Sequence, residues 1–333
     1  MSSMSDDLWP RRTRVPSSYT DPPMAETGGA RSCRRALTHF RRGLVALVLA
    51  LTVSASGGAG TTPALHEYTL RTWRQVEGLP QSSITALAQD AQGFLWIGTQ
   101  KGLARFDGVR FHTFTRDAAP ALADNWITAL LGSSQTGEVW VGTLSGVCVY
   151  HKGTFTAVAL PVGSRYRIRE LAELPGGRVL VGTHEGPFVI SGRRAEPVQS
   201  LGGEPVTASL VTAGRIWLAG RKLLELDDAL IPKRSILLPP GRAGSWIEAL
   251  AADGDRIWLG TDHGLLRLDG QRIETAPWTS LASTPVRALN LDRHGALWVA
   301  TGTELVRVRP GCEPERLGDP GAPRQVRRLL ADR

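Results

Sequence analysis

The chain has 333 residues, 42% of them hydrophobic, a net charge of +8 and three cysteines. Eight arginines against Asp6, Asp7, Asp21 and Glu26 put half of that charge before residue 43, so the remainder is too weakly basic for a nucleic-acid partner. Cys33, Cys148 and Cys312 lack metal-ligand spacing and are too scattered for an expected bridge.

Residues 1–30 are polar, rich in Ser, Pro and Thr, and read as disordered or as lying upstream of a true start at Met24. Arg31 to Arg42 is basic, 43–53 is apolar and 54–59 is made of small residues, the order of a secretory signal peptide over 31–59. The apolar run of about eleven residues falls short of the roughly 20 needed to span a bilayer, and an uncleaved anchor is the alternative.

From residue 84 onward one unit returns roughly every 40 residues, six times over. Its clearest column is Leu95-Trp96-Ile97-Gly98-Thr99, repeated as Val139-Trp140-Val141-Gly142-Thr143, Val179-Leu180-Val181-Gly182-Thr183, Ile216-Trp217-Leu218-Ala219-Gly220, Ile257-Trp258-Leu259-Gly260-Thr261 and Leu297-Trp298-Val299-Ala300-Thr301. An alternating run precedes each column (Ile84 to Ala88 in the first unit), a turn separates the two, and two further short runs follow, such as Leu103 to Phe106 and Val109 to Phe114. Strands of about five residues bounded by Gly, Asp and Asn signal antiparallel hairpins, and Asp107-Gly108, Lys152-Gly153 and Asp269-Gly270 sit where a hairpin turn needs positive φ.

Four such strands repeated around an axis predict an all-β propeller over 60–333: six full repeats and a partial seventh, a truncated seven-bladed ring. Side chains alternate along a strand, so each tryptophan shares a face with the small residue two positions on. The indoles of Trp96, Trp140, Trp217, Trp258 and Trp298 are expected to fill the seams between blades. Gly98, Gly142, Gly182 and Gly260 are expected to let the next blade approach. The third unit has Leu180 for Trp and the fourth is one residue short in its turn; both read as decayed repeats with no chemistry. A seventh unit starts at Val326 and stops at Arg333, and His66 to Trp73 reads as an extra strand able to complete the last blade. The chain is therefore expected to be a piece of a longer protein.

No nucleophile elbow, phosphate loop, dinucleotide fingerprint or metal cluster is legible, so no catalytic residue, cofactor or metal is expected. His184 with Glu185, and Asp262 with His263, fall in the turns between second and third strands and form a candidate ligand rim. The inner strands offer Thr85, Thr128, Glu170, Thr207 and Glu248 as polar groups facing the axis. Asp90, Asp253 and Asp292 recur in turns where an Asx turn accounts for them.

The stretch Trp73-Arg74-Gln75-Val76-Glu77-Gly78-Leu79-Pro80-Gln81-Ser82-Ser83-Ile84, followed by Gln89 to Gly108 with Gly93-Phe94-Leu95-Trp96-Ile97-Gly98-Thr99 and Gly102-Leu103, closely resembles the two-component regulator propeller repeat, and Ile247 to Gly270 repeats much of it. That resemblance implies the exported, periplasmic sensor portion of a membrane-bound bacterial histidine kinase or diguanylate cyclase, whose output domain lies outside these residues. It implies a small-molecule or oligosaccharide ligand and homodimerisation through the missing parts, and it supplies no catalytic residue. The alternatives are a propeller lyase resembling the streptogramin lyases, working through His184 or His263, and a protein-interaction scaffold.

Overall fold

The computed structural model describes residues 71–161, 167–212, 214–317 and 326–330. The export segment, and residues 66–70 of the expected extra strand, lie outside them. The described residues form six four-stranded antiparallel sheets, each built from one repeat in sequence order, as blades around an axis. The inner strands are Ile84–Gln89, Ile127–Gly132, Ile168–Leu174, Ala208–Thr212, Ile247–Asp253 and Val286–Leu291. The second strands are Leu95–Thr99, Val139–Thr143, Arg178–Thr183, Arg215–Ala219, Arg256–Thr261 and Leu297–Thr301. Each second strand pairs with the inner strand of its own blade, so Thr99 lies level with Ile84 and Leu95 level with Gln89.

Packing between blades follows from the repeat column. Trp96 packs with Ile127, Val139, Val141 and Cys148 of the next blade, and Trp258 with Val286, Leu297 and Val299 of the next. In the third blade Leu180 takes the same place against Val206, Ile216 and Leu218. Fully removing an indole from water in this way contributes a few kcal/mol per seam. The glycine two positions on faces the first inner-strand residue of the next blade. A Cβ on Gly98 would stand 2.7 Å from Ile127 Cγ2, and one on Gly142 would stand 2.6 Å from Ile168 Cγ2. Neither approach tolerates a side chain without displacement.

Two turn devices recur. Asp90 Oδ1 accepts from the backbone N–H groups of Gln92 and Phe94 while its Oδ2 accepts from Trp96 Nε1 at 2.7 Å. Asp292 does the same for His294, Ala296 and Trp298. At the other end of the blade, Thr99, Thr143, Thr183, Thr261 and Thr301 each donate their hydroxyl to the carbonyl closing the turn into the third strand. Gly153 and Lys152 both have positive φ (89° and 47°), as the twist of a two-residue hairpin requires.

Blades one to six pack inner strand against inner strand in succession, whereas the inner strands of blades six and one do not meet in this way. Val326–Leu330, where the seventh unit begins, belongs to none of the six sheets of the described residues. It lies against blade one, where Arg328 Nε donates to the carbonyl of Thr85 at 2.9 Å. Of the expected extra strand His66 to Trp73, Arg71 forms a β-bridge. Trp73 belongs to none of the six sheets; its ring packs edge-on against Phe106 (5.0 Å between centroids) and Phe111, covering blade one's own face. Cys148 is a buried free thiol, and burial pushes it up to about 12.

Candidate functional site

The inner strands start, and the turns between second and third strands close, at the same end of every blade. This end collects the polar side chains that do not belong to the repeat. One inner-strand column shows how. Thr85 donates its hydroxyl to the carbonyl of Ile127 at 2.6 Å, and Thr207 donates to that of Ile247 at 2.5 Å, so threonine at this position stitches one blade to the next. In blades three, five and six the same column holds Arg169, Glu248 and Arg287 instead. Arg169 reaches Glu248 at 3.6 Å across the start of blade four, and Arg287 reaches the same carboxylate at 3.9 Å. The hydroxyl oxygen of Thr128 in blade two is buried and has no hydrogen-bond partner.

Glu170, one residue further along blade three, accepts a hydrogen bond from Ser209 of blade four at 2.7 Å. Enclosure by the surrounding blades pushes its carboxyl up to about 7, a shift that the Ser209 bond and the nearby Arg328 and Arg169 charges only partly offset. The residue as a whole is only partly buried, and its Cβ lies on the sheet face that carries Gly182 and packs against Val206 of blade four. Arg169 is itself depressed from the ordinary arginine range, first by burial and then, against the pull of Glu248, by the like charges of Arg167, Arg328 and Arg287.

Above this charged ring sits an aromatic shelf. The short turn of blade four has Gly220 where five blades have the clamping threonine, and a Cβ there would meet the carbonyl of Pro205 at 2.2 Å, so only glycine fits. Arg221 in that turn stands 4.9 Å from the centroid of the Trp246 ring. His184, from the corresponding turn of blade three, meets the same indole edge-on at 5.7 Å. Burial, then Arg169 and Arg167, lowers the His184 pKa against the pull of Glu248. Asp262 fixes the position of Trp246 by accepting from its backbone N–H at 3.0 Å and donating its own backbone N–H to the Trp246 carbonyl.

The four rim residues read from the sequence are thus divided. His184 and Asp262 both touch Trp246, His263 joins through Asp262, and Glu185 is exposed, with its backbone N–H bonded to Thr183. His263 Nδ1 lies 2.9 Å from Asp262 and 3.2 Å from Ser245 Oγ. Both contacts end on one ring nitrogen, so this trio cannot pass a proton from serine to histidine while the carboxylate orients the other nitrogen. Arg169, Arg221, Trp246 and Arg287 are the residues that motif searching missed. The signal for them was the substitution of charged residues for threonine within one column, and the shortened fourth turn.

Among the described residues no group of three potential metal ligands converges, and no helix is long and apolar enough to cross a membrane. An enclosed hollow between Ser280, Leu281, Thr301 and Arg316 measures about 30 Å³, room for a single water.

Residues 78–101 match the family described as two component regulator propeller. A 47-residue stretch is 43% identical to part of histidine kinase P4 of Formosa agariphila, covering 14% of this chain and 3% of that protein. The fold is similar to the extracellular domain of a hybrid two component system from B. thetaiotaomicron, with a TM-score of 0.62 at 19% identity over 75% of this chain and 37% of that one. It is also similar to a catalytically inactive histidine variant of virginiamycin B lyase from Staphylococcus aureus with quinupristin, with a TM-score of 0.60 at 13% identity over 73% of this chain and 86% of that one. The chain thus spans little more than a third of the first solved structure and a small fraction of the kinase. At these identities both solved structures are evidence of fold.

Proposed function

We propose that this propeller is the exported ligand-sensing part of a bacterial signal-transduction protein, with a histidine kinase or diguanylate cyclase output domain outside these 333 residues. The observation that carries the reading is the set of departures from the repeat. Arg169, Glu248 and Arg287 replace stitching threonines at one end of the axis, and Trp246, His184 and Arg221 gather above them. Each replacement gives up a hydrogen bond between blades and places charge at partial burial, a cost that fold stability alone does not explain. The match of residues 78–101 to the regulator propeller family and the short identity to a histidine kinase supply the signalling context. The basic, apolar and small-residue order of 31–59 supplies the export.

The test is genetic. A strain carrying Arg169→Gln and Trp246→Ala in the chromosomal copy, with protein abundance checked by immunoblot, should lose the same transcript or cyclic-di-GMP changes as a deletion strain across a panel of growth conditions. A deletion strain indistinguishable from wild type in every condition rules the signalling role out.

A further inference from the structure

Resting on the sensor reading, we infer that the axial mouth between blades three and six binds a small organic anion, its carboxylate or sulfate held by Arg169 and Arg287 and its ring or hydrocarbon body set against Trp246 and His184. Charge balance points there first. Arg169 and Arg287 share a single carboxylate, Glu248, at 3.6 and 3.9 Å. Arg167 at the start of the inner strand and Arg221 in the fourth-blade turn have no acidic partner among the described residues, and Arg328 spends its Nε on the Thr85 carbonyl. The other acids close by do not cancel this excess: Asp262 is engaged with Trp246 and His263, Glu185 stands exposed on the rim, and Glu170 is held partly protonated at neutral pH.

Geometry points the same way. The side chains of Arg169 and Arg287 keep 27% and 48% of their exposure, so solvent and ligand reach both guanidiniums. Crowded guanidiniums repel one another, and an anion among them relieves that repulsion while accepting paired N–H bonds from each planar fork. The half-buried Trp246 indole, pinned by Asp262 and with Arg221 beside it, offers an apolar surface at the edge of the charged ring. Charge and flat apolar surface side by side fit a ring-bearing acid better than a bare inorganic ion.

Calorimetric titration of the full chain with two matched pairs tests this: galacturonate against galactose, and benzoate against benzamide. The expected result is that one or both acids bind while their neutral partners bind at least about tenfold more weakly. The pair that responds tells a sugar acid from an aromatic acid. Arg169→Gln and Arg287→Gln should each weaken binding about tenfold or more. Glu248→Gln should strengthen it several-fold by removing the competing carboxylate, a gain that a merely structural role does not produce. Melting curves confirm that each variant is folded. Neutral partners binding as tightly as the acids, unchanged affinity in both arginine variants, or no acid binding at about 10 mM would each overturn the anion assignment. All three leave the sensor reading standing, because that reading fails only on the deletion strain.

Discussion

The seams between blades and the mouth of the axis are built from the same repeat columns, yet the two regions obey opposite rules. At the seam between blades one and two every position keeps its repeat residue: Trp96 buried, Gly98 yielding to Ile127, Thr85 bonded to the Ile127 carbonyl, Asp90 holding the indole. At the mouth the threonine column becomes Arg169, Glu248 and Arg287, and the fourth turn loses its clamping threonine. Repetition builds the scaffold and deviation from it builds the site. A degenerate-looking repeat is then the first place to search for a ligand.

The sharpest way to test this division is to remove an indole from each region. Trp96→Ala should destabilise the fold by about 3–5 kcal/mol in chemical denaturation, since it empties a fully buried seam. Trp246→Ala, at a half-buried position on the rim, should cost less than about 1 kcal/mol. Equal losses would erase the distinction. Next in size, Gly142→Ala should cost about 1–3 kcal/mol by driving a methyl into Ile168, which is only 2.6 Å from the new Cβ.

Glu170 sharpens the comparison through pH. Its carboxyl is raised from 4.5 to about 7 in the folded chain, so the folded state binds its proton more tightly than the unfolded chain does. The associated stability is fully present below pH 4.5 and is lost as pH rises through about 7. Glu170→Gln removes that decline. The variant should match wild type at pH 4 and exceed it at pH 8 by on the order of 2 kcal/mol in urea titrations. A parallel pH profile for the two proteins would place Glu170 in ordinary solvent. The smallest effect belongs to the hairpin of blade two, where Lys152 holds a φ of 47° that asparagine adopts more easily. Lys152→Asn should raise stability by less than about 1 kcal/mol, read as a small upward shift in the melting temperature.

The blades were legible from the sequence because burial imposes a strict period. An indole, a small residue two places on and a turn glycine recur wherever two sheets must pack, and each leaves a mark in the alignment of the chain with itself. The rim was partly legible. His184, Asp262 and His263 stood out as titratable residues in turns, but the contact that unites them runs through Trp246, whose position before an inner strand carries no motif. Arg169 and Arg287 were invisible to motif searching because their partner Glu248 belongs to another blade, far away in sequence and close only once the ring has formed. The seventh unit was legible only as a beginning. Val326 to Leu330 has the right alternation, but alternation specifies a face and leaves open which strand is its partner; the segment meets Thr85 through Arg328 and belongs to none of the six sheets of the described residues.

Hydrogen exchange of the full chain with and without galacturonate or benzoate, whichever binds, reads the division between scaffold and site most directly. Protection should appear in peptides covering 167–171, 183–187, 219–223 and 245–249, with the seam strand Leu95–Thr99 unchanged. Protection confined to the opposite end, around Asp90 and Asp292, or no change in any of the four mouth segments, would contradict it.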